Sequence, residues 1–275
     1  MMFAVKNLVA SRVNLLQNDY AAGLPSPLSF LGLADTLVRR MGLTPWSARC
    51  LPILHRVDVS EGRTKPEMEP KSGTFTPIET MEDLTGTVEV SILIDLSGCE
   101  RTTDVIRLMA GRRIAGGLIQ NDEVEVDEVT PDGSAFRGLR RGYAMVRPEP
   151  DRPERLLIST GDEEGLSAIA HTLFPAEREA GFGWIVPVAT GYRLIEDPET
   201  VPKRIRTRSQ EVPHVFAEPA LGIAELISVR NTRLTDLDEE GLTALLWSWD
   251  ARGDLILGHP DYHPVADRKD DLTHG

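Results

Sequence analysis

The amino-acid sequence predicts an α+β protein. We expect a ferredoxin-like domain in residues 1–150, followed by a β-rich C-terminal half in residues 151–275 that ends in a helix. In the first half, apolar stretches of strand character alternate with two segments of helical periodicity. A stretch rich in proline and charge at 148–154 then separates that half from a long apolar strand and a capped helix near the C-terminus.

The first strand and the first helix are predicted from one apolar run and the residues that follow it. Residues 3–13 are mostly apolar, which is typical of a buried strand. Ser26 is a good N-cap, and Pro27 suits the first position of a helix. The apolar residues that follow recur at helical spacing until Gly42, which ends the helix.

The next elements complete an order of strand, helix, strand, strand, helix and strand. Residues 51–59 and 87–96 have strand character, residues 102–109 have helical periodicity, and residues 113–119 form a short apolar stretch. Between the second and third strands, residues 61–84 are polar and contain prolines, so we predict a loop or a projecting hairpin there. This is the ferredoxin-like order with one insertion, and many RNA-binding modules use that sheet.

The second half of the chain contains a predicted strand and a predicted final helix. Residues 183–195 have strand character, with a turn expected at 190–191. Thr235 or Asp238 caps the final helix. Its expected apolar face consists of Leu242, Leu245, Leu246 and Trp249. After His259 the composition becomes polar, and we predict a frayed tail.

Composition argues against several classes of protein. No run of 18 apolar residues occurs, so no transmembrane helix is predicted, and the N-terminus lacks the pattern of a signal peptide. Cys50 and Cys99 are too few for a disulfide framework or a cysteine metal cluster, which favours a reducing cytoplasm. Because no phosphate-binding loop, zinc-protease motif or nucleophile elbow is present, we expect neither a metal nor a cofactor.

The charge is strongly negative overall but unevenly distributed. The chain has 43 acidic and 30 basic residues, a formal net charge of −13. This balance alone argues against a free-standing nucleic-acid binder, because phosphate contacts need positive potential. Acidic residues cluster within 122–128, however, whereas arginines cluster within 137–147 and four cations occur within 203–208. A basic groove can therefore form on an acidic protein.

Several residues are candidates for contact with single-stranded RNA, which needs cations for its phosphates and close approach of the protein backbone. Gly116 and Gly117 permit such an approach, or they simply form a turn. Ser26 presents backbone N–H groups to a phosphate, or it only caps its helix. The other candidates are cations that would equally suit a solvated surface: Arg63, Lys65, Arg140, Arg141, Lys203, Arg204, Arg206 and Arg208. On a strand, the arginines at 204, 206 and 208 would line one face.

A set of short motifs in a shared order resembles one known family. The motifs are Leu24-Pro25-Ser26-Pro27, Arg39-Arg40-Met41-Gly42-Leu43, His55-Arg56-Val57-Asp58, Arg63-Thr64-Lys65, Arg113-Ile114-Ala115-Gly116-Gly117, Gly142-Tyr143-Ala144-Met145-Val146, Gly183-Trp184-Ile185-Val186-Pro187-Val188 and Leu245-Leu246-Trp247. Across residues 24–250 they resemble the second Csy subunit of type I-F CRISPR effector complexes, in the Cas-five group of the RAMP superfamily. The chain is shorter than those relatives between Val146 and Trp184, and its first strand lacks their proline–arginine start.

The resemblance implies a RAMP-type fold and a function in RNA-guided antiviral defence. Members of the family bind the 5′ handle of the guide RNA (crRNA). They also bridge the large subunit, which reads the protospacer-adjacent motif, to the backbone subunit of the filament, with target DNA near that motif as a further contact. A thumb-like hairpin packs against the RNA, and residues 61–84 occupy its place. The resemblance adds Arg113 to the RNA-binding candidates and implies no catalytic residue.

Two alternatives remain open from the sequence. The RAMP superfamily also includes endoribonucleases that process the precursor of the guide RNA with a histidine as general acid or base. His55 is the only histidine in residues 1–150 and is the candidate for that role, although its place on a predicted strand beside Arg56 favours a structural histidine. An acidic adaptor that contacts no RNA would suit the net charge but not the clusters of arginine.

Overall fold

The computed structural model describes residues 1–18, 22–60, 63–71, 74–148, 170, 173–175, 181–205, 207 and 212–259. For 63–71 and 74–83 it describes the backbone alone. Within these residues the protein is α+β, as predicted, with one large antiparallel sheet and few helices. None of the described helices is both long and apolar enough to cross a membrane.

The first half of the chain follows the predicted order of elements. Its strands are β1 (Met2–Asn14), β2 (Arg49–Val59), β3 (Arg63–Lys71), β4 (Thr74–Asp83), β5 (Thr85–Asp95), β6 (Arg113–Ile114), β7 (Gly117–Ile119), β8 (Glu125–Val129) and β9 (Tyr143–Val146). Its helices are α1 (Pro27–Met41) and α2 (Thr102–Met109), with a 3₁₀ turn at Gly133–Phe136. The stretch predicted as a loop or a hairpin is a hairpin, because β3 pairs with β4.

The second half adds strands and two short helices. These are β10 (Trp184–Leu194), β11 (Ala217–Ser228), α3 (Thr232–Thr235), α4 (Glu239–Leu245), β12 (Ser248–Arg252) and β13 (Leu255–His259). In the described residues, eleven strands form one sheet in the order β12-β13-β10-β11-β9-β2-β5-β1-β7-β6, with β8 also paired to β1. Strands from both sides of the predicted boundary near residue 150 therefore hydrogen-bond to each other, through β9 and β11.

Helix α1 forms where the sequence predicts it. Its N-cap is Ser26, whose Oγ accepts a hydrogen bond from the Leu28 N–H at 3.1 Å. Gly42 ends the helix in the left-handed conformation, with φ at 69°. Nine residues of the helix are buried, so the apolar stripe packs on the sheet as an amphipathic helix should.

Two predictions for the second half are wrong. No turn interrupts β10 near residue 190, because the strand continues there with a bulge between Ala189 and Gly191. At Gly191 a Cβ atom would lie 2.6 Å from the Ile256 carbonyl oxygen, so the glycine is needed for the close approach of β13. The final helix begins at its Asp238 cap as predicted but stops at Leu245, and Trp249 lies in β12. The described chain thus ends in a β-hairpin and not in a helix.

Trp247 explains why that helix stops. Its backbone exchanges two hydrogen bonds with Cys50 of β2, at 2.8 and 2.9 Å, and this pairing requires extended backbone. The indole is 1% exposed, and its Nε1–H donates to the Met145 carbonyl of β9 at 2.8 Å. One residue from the second half therefore joins two strands of the first half, β2 through its backbone and β9 through its side chain.

A buried ion pair stabilises the adjoining part of the sheet. Glu225 of β11 is fully buried and accepts a hydrogen bond from Arg233 of α3 at 2.8 Å and another from the Gly183 N–H at 2.6 Å. The Arg233 guanidinium also lies 4.7 Å from the centre of the Phe182 ring. Because a carboxylate removed from water is costly unless it is paired, this contact holds α3 against β10 and β11.

We predict that Trp247 is a main determinant of stability. Trp247→Ala should lower the free energy of unfolding by about 3–5 kcal/mol, since it leaves a large cavity. Trp247→Phe should cost less, roughly 1–3 kcal/mol, because it keeps most of the packing but leaves the Met145 carbonyl without its donor. Urea denaturation followed by fluorescence measures both values. Equal losses in the two variants would show that packing at this position contributes little.

Candidate nucleic-acid interface

The elements that carry many of the predicted RNA-binding residues meet at one end of the central sheet. There the last residue of β1, Asn14, pairs with the first residue of β5, Thr85. The last residue of β2, Val59, pairs with Gly86 of β5. The β3–β4 hairpin connects β2 to β5 at this point, and Arg63 and Lys65 lie on its first strand. We call this region the hairpin end of the sheet.

The paired-glycine motif also lies at the hairpin end. Ala115 and Gly116 join β6 to β7 as a two-residue turn in which both residues have positive φ, and the Asn14 N–H donates to the Ala115 carbonyl at 2.9 Å. Gly117 has no space for a side chain, because a Cβ atom would lie 2.6 Å from the Ser11 carbonyl oxygen. The structure therefore explains both glycines: Gly116 adopts a positive φ in the turn, and Gly117 lies against β1. Arg113 donates to the Gly116 carbonyl at 2.7 Å and is otherwise exposed.

Arg140 and Arg141 lie over the middle of the central sheet, on the face that presents Glu89 and Ser91 of β5. Alternation along β5 places Glu89 and Ser91 opposite Val88 and Val90, which are fully buried. Arg140 forms an ion pair with Glu89 at 2.7 Å and keeps 55% of its side chain exposed. The Arg141 side chain is exposed and has no ion pair with any described residue.

His55 positions the segment that carries these two arginines. Its Nδ1–H faces the Arg141 carbonyl at 3.0 Å, and its Nε2 lies 2.7 Å from the Ser91 hydroxyl. A neutral imidazole therefore donates through Nδ1 and accepts through Nε2. Gly142 lets its segment pass close to the His55 ring, since a Cβ atom there would lie 2.6 Å from His55 Nδ1. Burial lowers the pKa of His55, and the charge of Arg140 lowers it further.

Charge is separated along β1. Its first half, Met2 to Lys6, pairs with β8, which carries much of the acidic run at 122–128. Lys6 forms ion pairs with Glu125, at 3.1 Å, and with Asp127, and the hydrogen bond to Asp127 contributes most to the raised pKa of this lysine. The other half of β1 reaches the hairpin end and carries Arg12. Acidic side chains thus border the first half of β1, while the β3–β4 hairpin contains both acidic and basic residues.

Sequence reasoning missed two cations at the hairpin end. Arg12 is exposed in a bulge of β1 with φ at 56°, and it forms no ion pair with a described residue. Arg56 of β2 is 62% exposed and pairs with Asp58 at 2.8 Å. Arg56 could have been predicted from the sequence, because it lies three residues before the end of β2 and next to the predicted hairpin. The bulge at Arg12 depends on pairing between distant strands and leaves no local pattern.

Ser26 has a structural role at the start of α1. Besides capping α1, its hydroxyl donates to the Ala189 carbonyl of β10 at 2.7 Å. Nearby, the Gln17 side chain accepts a hydrogen bond from the Ala189 N–H. The contacts of Ser26 therefore match the capping interpretation, and they also tie the start of α1 to the second half of the sheet.

The cationic run at 203–208 is only partly described. Arg206 and Arg208 lie outside the described residues. Lys203 and Arg204 do not lie on a strand, so the expected alternation of arginines along one strand face is wrong for this part of the run. Arg204 is held by Glu196 at 2.6 Å, and its guanidinium lies 4.2 Å from the centre of the Phe216 ring. The run is also distant in the sheet order from the hairpin end, because β9 and β2 separate β11 from β5.

Other kinds of site have little support in the described residues. No group of three or more His, Cys, Asp or Glu side chains is arranged to hold a metal ion there. Cys50 and Cys99 are both buried and unbonded, and burial raises the pKa of the Cys50 thiol. The described cations and the turn backbone at the hairpin end suit phosphate groups better than a metal or a nucleophilic reaction.

Comparison with known proteins places the chain among CRISPR-associated proteins. A family model described as CRISPR-associated protein (Cas_Csy2) matches residues 159–256. This match is to the same family that the sequence motifs resemble, and it confirms that resemblance over residues 159–256. The matched range includes β10 to β12, whereas the hairpin end precedes it. A search of curated proteins found no match.

The lowered pKa of His55 predicts a dependence of stability on pH. Because the folded state disfavours the protonated imidazole, the unfolded state takes up protons first as the pH falls. The contribution of His55 is therefore complete above about pH 6.5 and declines from there toward the lower pKa of the folded state. We expect the stability difference between the wild type and His55→Gln, measured by urea denaturation, to shrink from pH 7.5 to pH 5.5. A difference that stays constant over this range would contradict the neutral assignment.

Proposed function

We propose that this chain is a Csy2-type subunit of a type I-F CRISPR Csy complex, that it binds the 5′ handle of the guide RNA at the hairpin end of its sheet, and that it does not cut RNA. The observation that carries the proposal is the arrangement of charge in a chain whose net charge is −13. The cations that converge on the hairpin end and on the adjoining sheet face are Arg12, Arg56, Arg113, Arg140 and Arg141, with Arg63 and Lys65 on the β3–β4 hairpin. Single-stranded RNA needs such a local basic groove, whatever the total charge.

The strand order supports a ferredoxin-like, RAMP-type fold for the first half. The central strands lie in the order β2-β5-β1-β8, all antiparallel, with α1 and α2 as the crossover helices. That order is expected when two strand–helix–strand units interlock. In this proposal the β3–β4 hairpin is the thumb that packs against the RNA.

The proposed RNA path combines the turn backbone with the arginines. Phosphates would lie along Arg140, Arg141 and Arg113, and the β6–β7 turn would let the strand approach the main chain closely. Glu89 matters in this arrangement because it already occupies one side of the Arg140 guanidinium. An RNA phosphate must therefore compete with a carboxylate for this guanidinium, which lowers the affinity for any RNA.

The remaining parts of the proposal concern partners and setting. We propose that the subunit bridges the large subunit to the backbone subunit in the cytoplasm and approaches target DNA near the protospacer-adjacent motif. The family match supports membership in a complex with other Cas subunits. The cations at Lys203, Arg204, Arg206 and Arg208 stay predicted RNA contacts, although the pairing of Arg204 with Glu196 weakens its availability.

We expect the double variant Arg140→Gln and Arg141→Gln to weaken binding of single-stranded repeat RNA. Each lost phosphate contact should reduce the slope of log K against log salt by about 0.7. Fluorescence anisotropy from 50 to 300 mM salt measures that slope. The matched control is Arg107→Gln, a 72% exposed arginine on α2 that is also paired with an aspartate. An unchanged slope in the double variant would remove this pair from the RNA interface.

Glu89→Gln should have the opposite effect. It removes the carboxylate that competes for Arg140, so we expect tighter RNA binding and no loss in the salt slope. Weaker binding in this variant would mean that Glu89 is needed to orient Arg140 and does not merely compete with phosphate.

We expect no cleavage when the purified chain is incubated with repeat RNA. Both ring nitrogens of His55 are engaged with Ser91 and the Arg141 carbonyl, so neither is available to take a proton from a ribose hydroxyl. Denaturing gel electrophoresis detects cleavage. Cleavage that disappears in His55→Ala would instead support the endoribonuclease alternative.

A further inference from the structure

The ends of β10 and β11 form an exposed apolar surface far from the hairpin end. The Ile195 N–H donates to the Phe216 carbonyl at 2.9 Å, which places these two residues side by side on neighbouring chain segments. Ile195 is 59% exposed and Phe216 is 61% exposed. Neighbouring large apolar residues in solvent are a feature of protein interaction sites, where aromatic residues are enriched.

An acidic cavity adjoins this surface. It has a volume of about 620 Å³, and Ile195 contributes to its wall. Its charged lining consists of Arg193, Glu196, Asp197, Glu218 and Asp254. Arg193 pairs with Asp254 at 3.1 Å, whereas Glu218 is exposed and has no ion pair with a described residue. Arg204 pairs with Glu196, so Asp197 and Glu218 are the two lining carboxylates without an ion pair to a described residue, and they make the cavity negative.

Glu196 holds the two parts of the surface in place. Its carboxylate accepts a hydrogen bond from the Phe216 N–H at 2.8 Å and pairs with Arg204 at 2.6 Å. Arg204 in turn lies over the Phe216 ring. Glu196 therefore holds the backbone of Phe216, and Arg204 packs against its ring, before any partner binds. A surface that is already ordered loses less conformational entropy on binding.

The charge of the cavity decides which class of molecule fits. An RNA phosphate would meet Glu218 and Asp197, neither of which has an ion pair with a described residue, and that is unfavourable. A lysine or arginine side chain would find carboxylates, while an apolar neighbour on the same segment would cover Ile195 and Phe216. Arg204, which the sequence predicted as an RNA contact, then packs on the Phe216 ring and holds it in position.

We propose that this corner, formed by Ile195, Glu196, Phe216, Glu218 and Asp254, docks a basic segment of a partner protein with an apolar residue beside its cation. The inference deepens the proposed function and rests on it, because the partner is sought among the other protein subunits of the complex. It assigns protein contact to one edge of the large sheet and leaves RNA contact to the hairpin end.

The test uses the full chain co-expressed with the other subunits of its complex and its guide RNA. Two single variants, Glu218→Lys and Phe216→Ser, change exposed side chains and should leave the urea midpoint unchanged. We expect each to weaken retention of one protein subunit about 30-fold, the loss typical of an interface hot spot. The affinity of the isolated chain for guide RNA should stay the same or rise slightly in Glu218→Lys. Glu123→Lys, on the acidic run beside β8, is the matched charge-reversal control.

Each outcome decides the inference. Full retention of every subunit by both variants would overturn it while leaving the proposed function intact. Loss of guide RNA affinity in Phe216→Ser with all subunits retained would identify the corner as an RNA surface and would also overturn it. A wild-type chain that retains neither guide RNA nor any subunit would overturn the proposed function, and the inference with it.

Discussion

The fold depends on the seam where the two halves of the chain share one sheet. The short strand β9 lies between β2 of the first half and β11 of the second half, and only four residues form it. A seam this short needs further contacts, and Trp247 supplies them through its backbone to Cys50 and through its indole to the Met145 carbonyl. The Gly142 carbonyl accepts another hydrogen bond from the Val229 N–H at 3.1 Å. Without these contacts the two sets of strands would be joined by few backbone hydrogen bonds.

The same seam places the candidate RNA contacts. Arg140 and Arg141 lie just before β9. The pairing of β9 with β2 and β11 therefore also fixes the position of these arginines over β5. His55 then links the segment to Ser91, and Ser91 accepts a hydrogen bond from the Asn7 N–H. Asn7 lies in the other bulge of β1, between Val5 and Leu8. A change in packing at the seam would therefore shift the two arginines, even though the seam lies outside the proposed RNA path.

Much of the first half was predictable because its signals are local. The cap at Ser26, the stop at Gly42 and the alternation along β5 each depend on a few neighbouring residues, and each was confirmed. The errors fall where distant residues decide the structure. The final helix was extended through Trp249 because its apolar spacing continues, but pairing of Trp247 with Cys50 requires extended backbone. Likewise, the bulge that carries Arg12 exists only because β1 pairs with β5 out of register.

The candidate site was harder to predict than the fold, because the composition does not show which charged residues lie close together in the folded chain. The densest cationic run, at 203–208, was a candidate RNA contact or a solvated surface, and its described arginine is paired with Glu196 beside an acidic cavity. Arg12 and Arg56 are isolated in the sequence and reach the hairpin end only through strand pairing. Since phosphate responds to local potential and not to runs in the sequence, the positions of single arginines after strand pairing decide where the proposed RNA contact can lie on a strongly acidic chain. The same sheet carries the proposed protein-binding corner at the ends of β10 and β11, so the two proposed surfaces are separated by the strands between them.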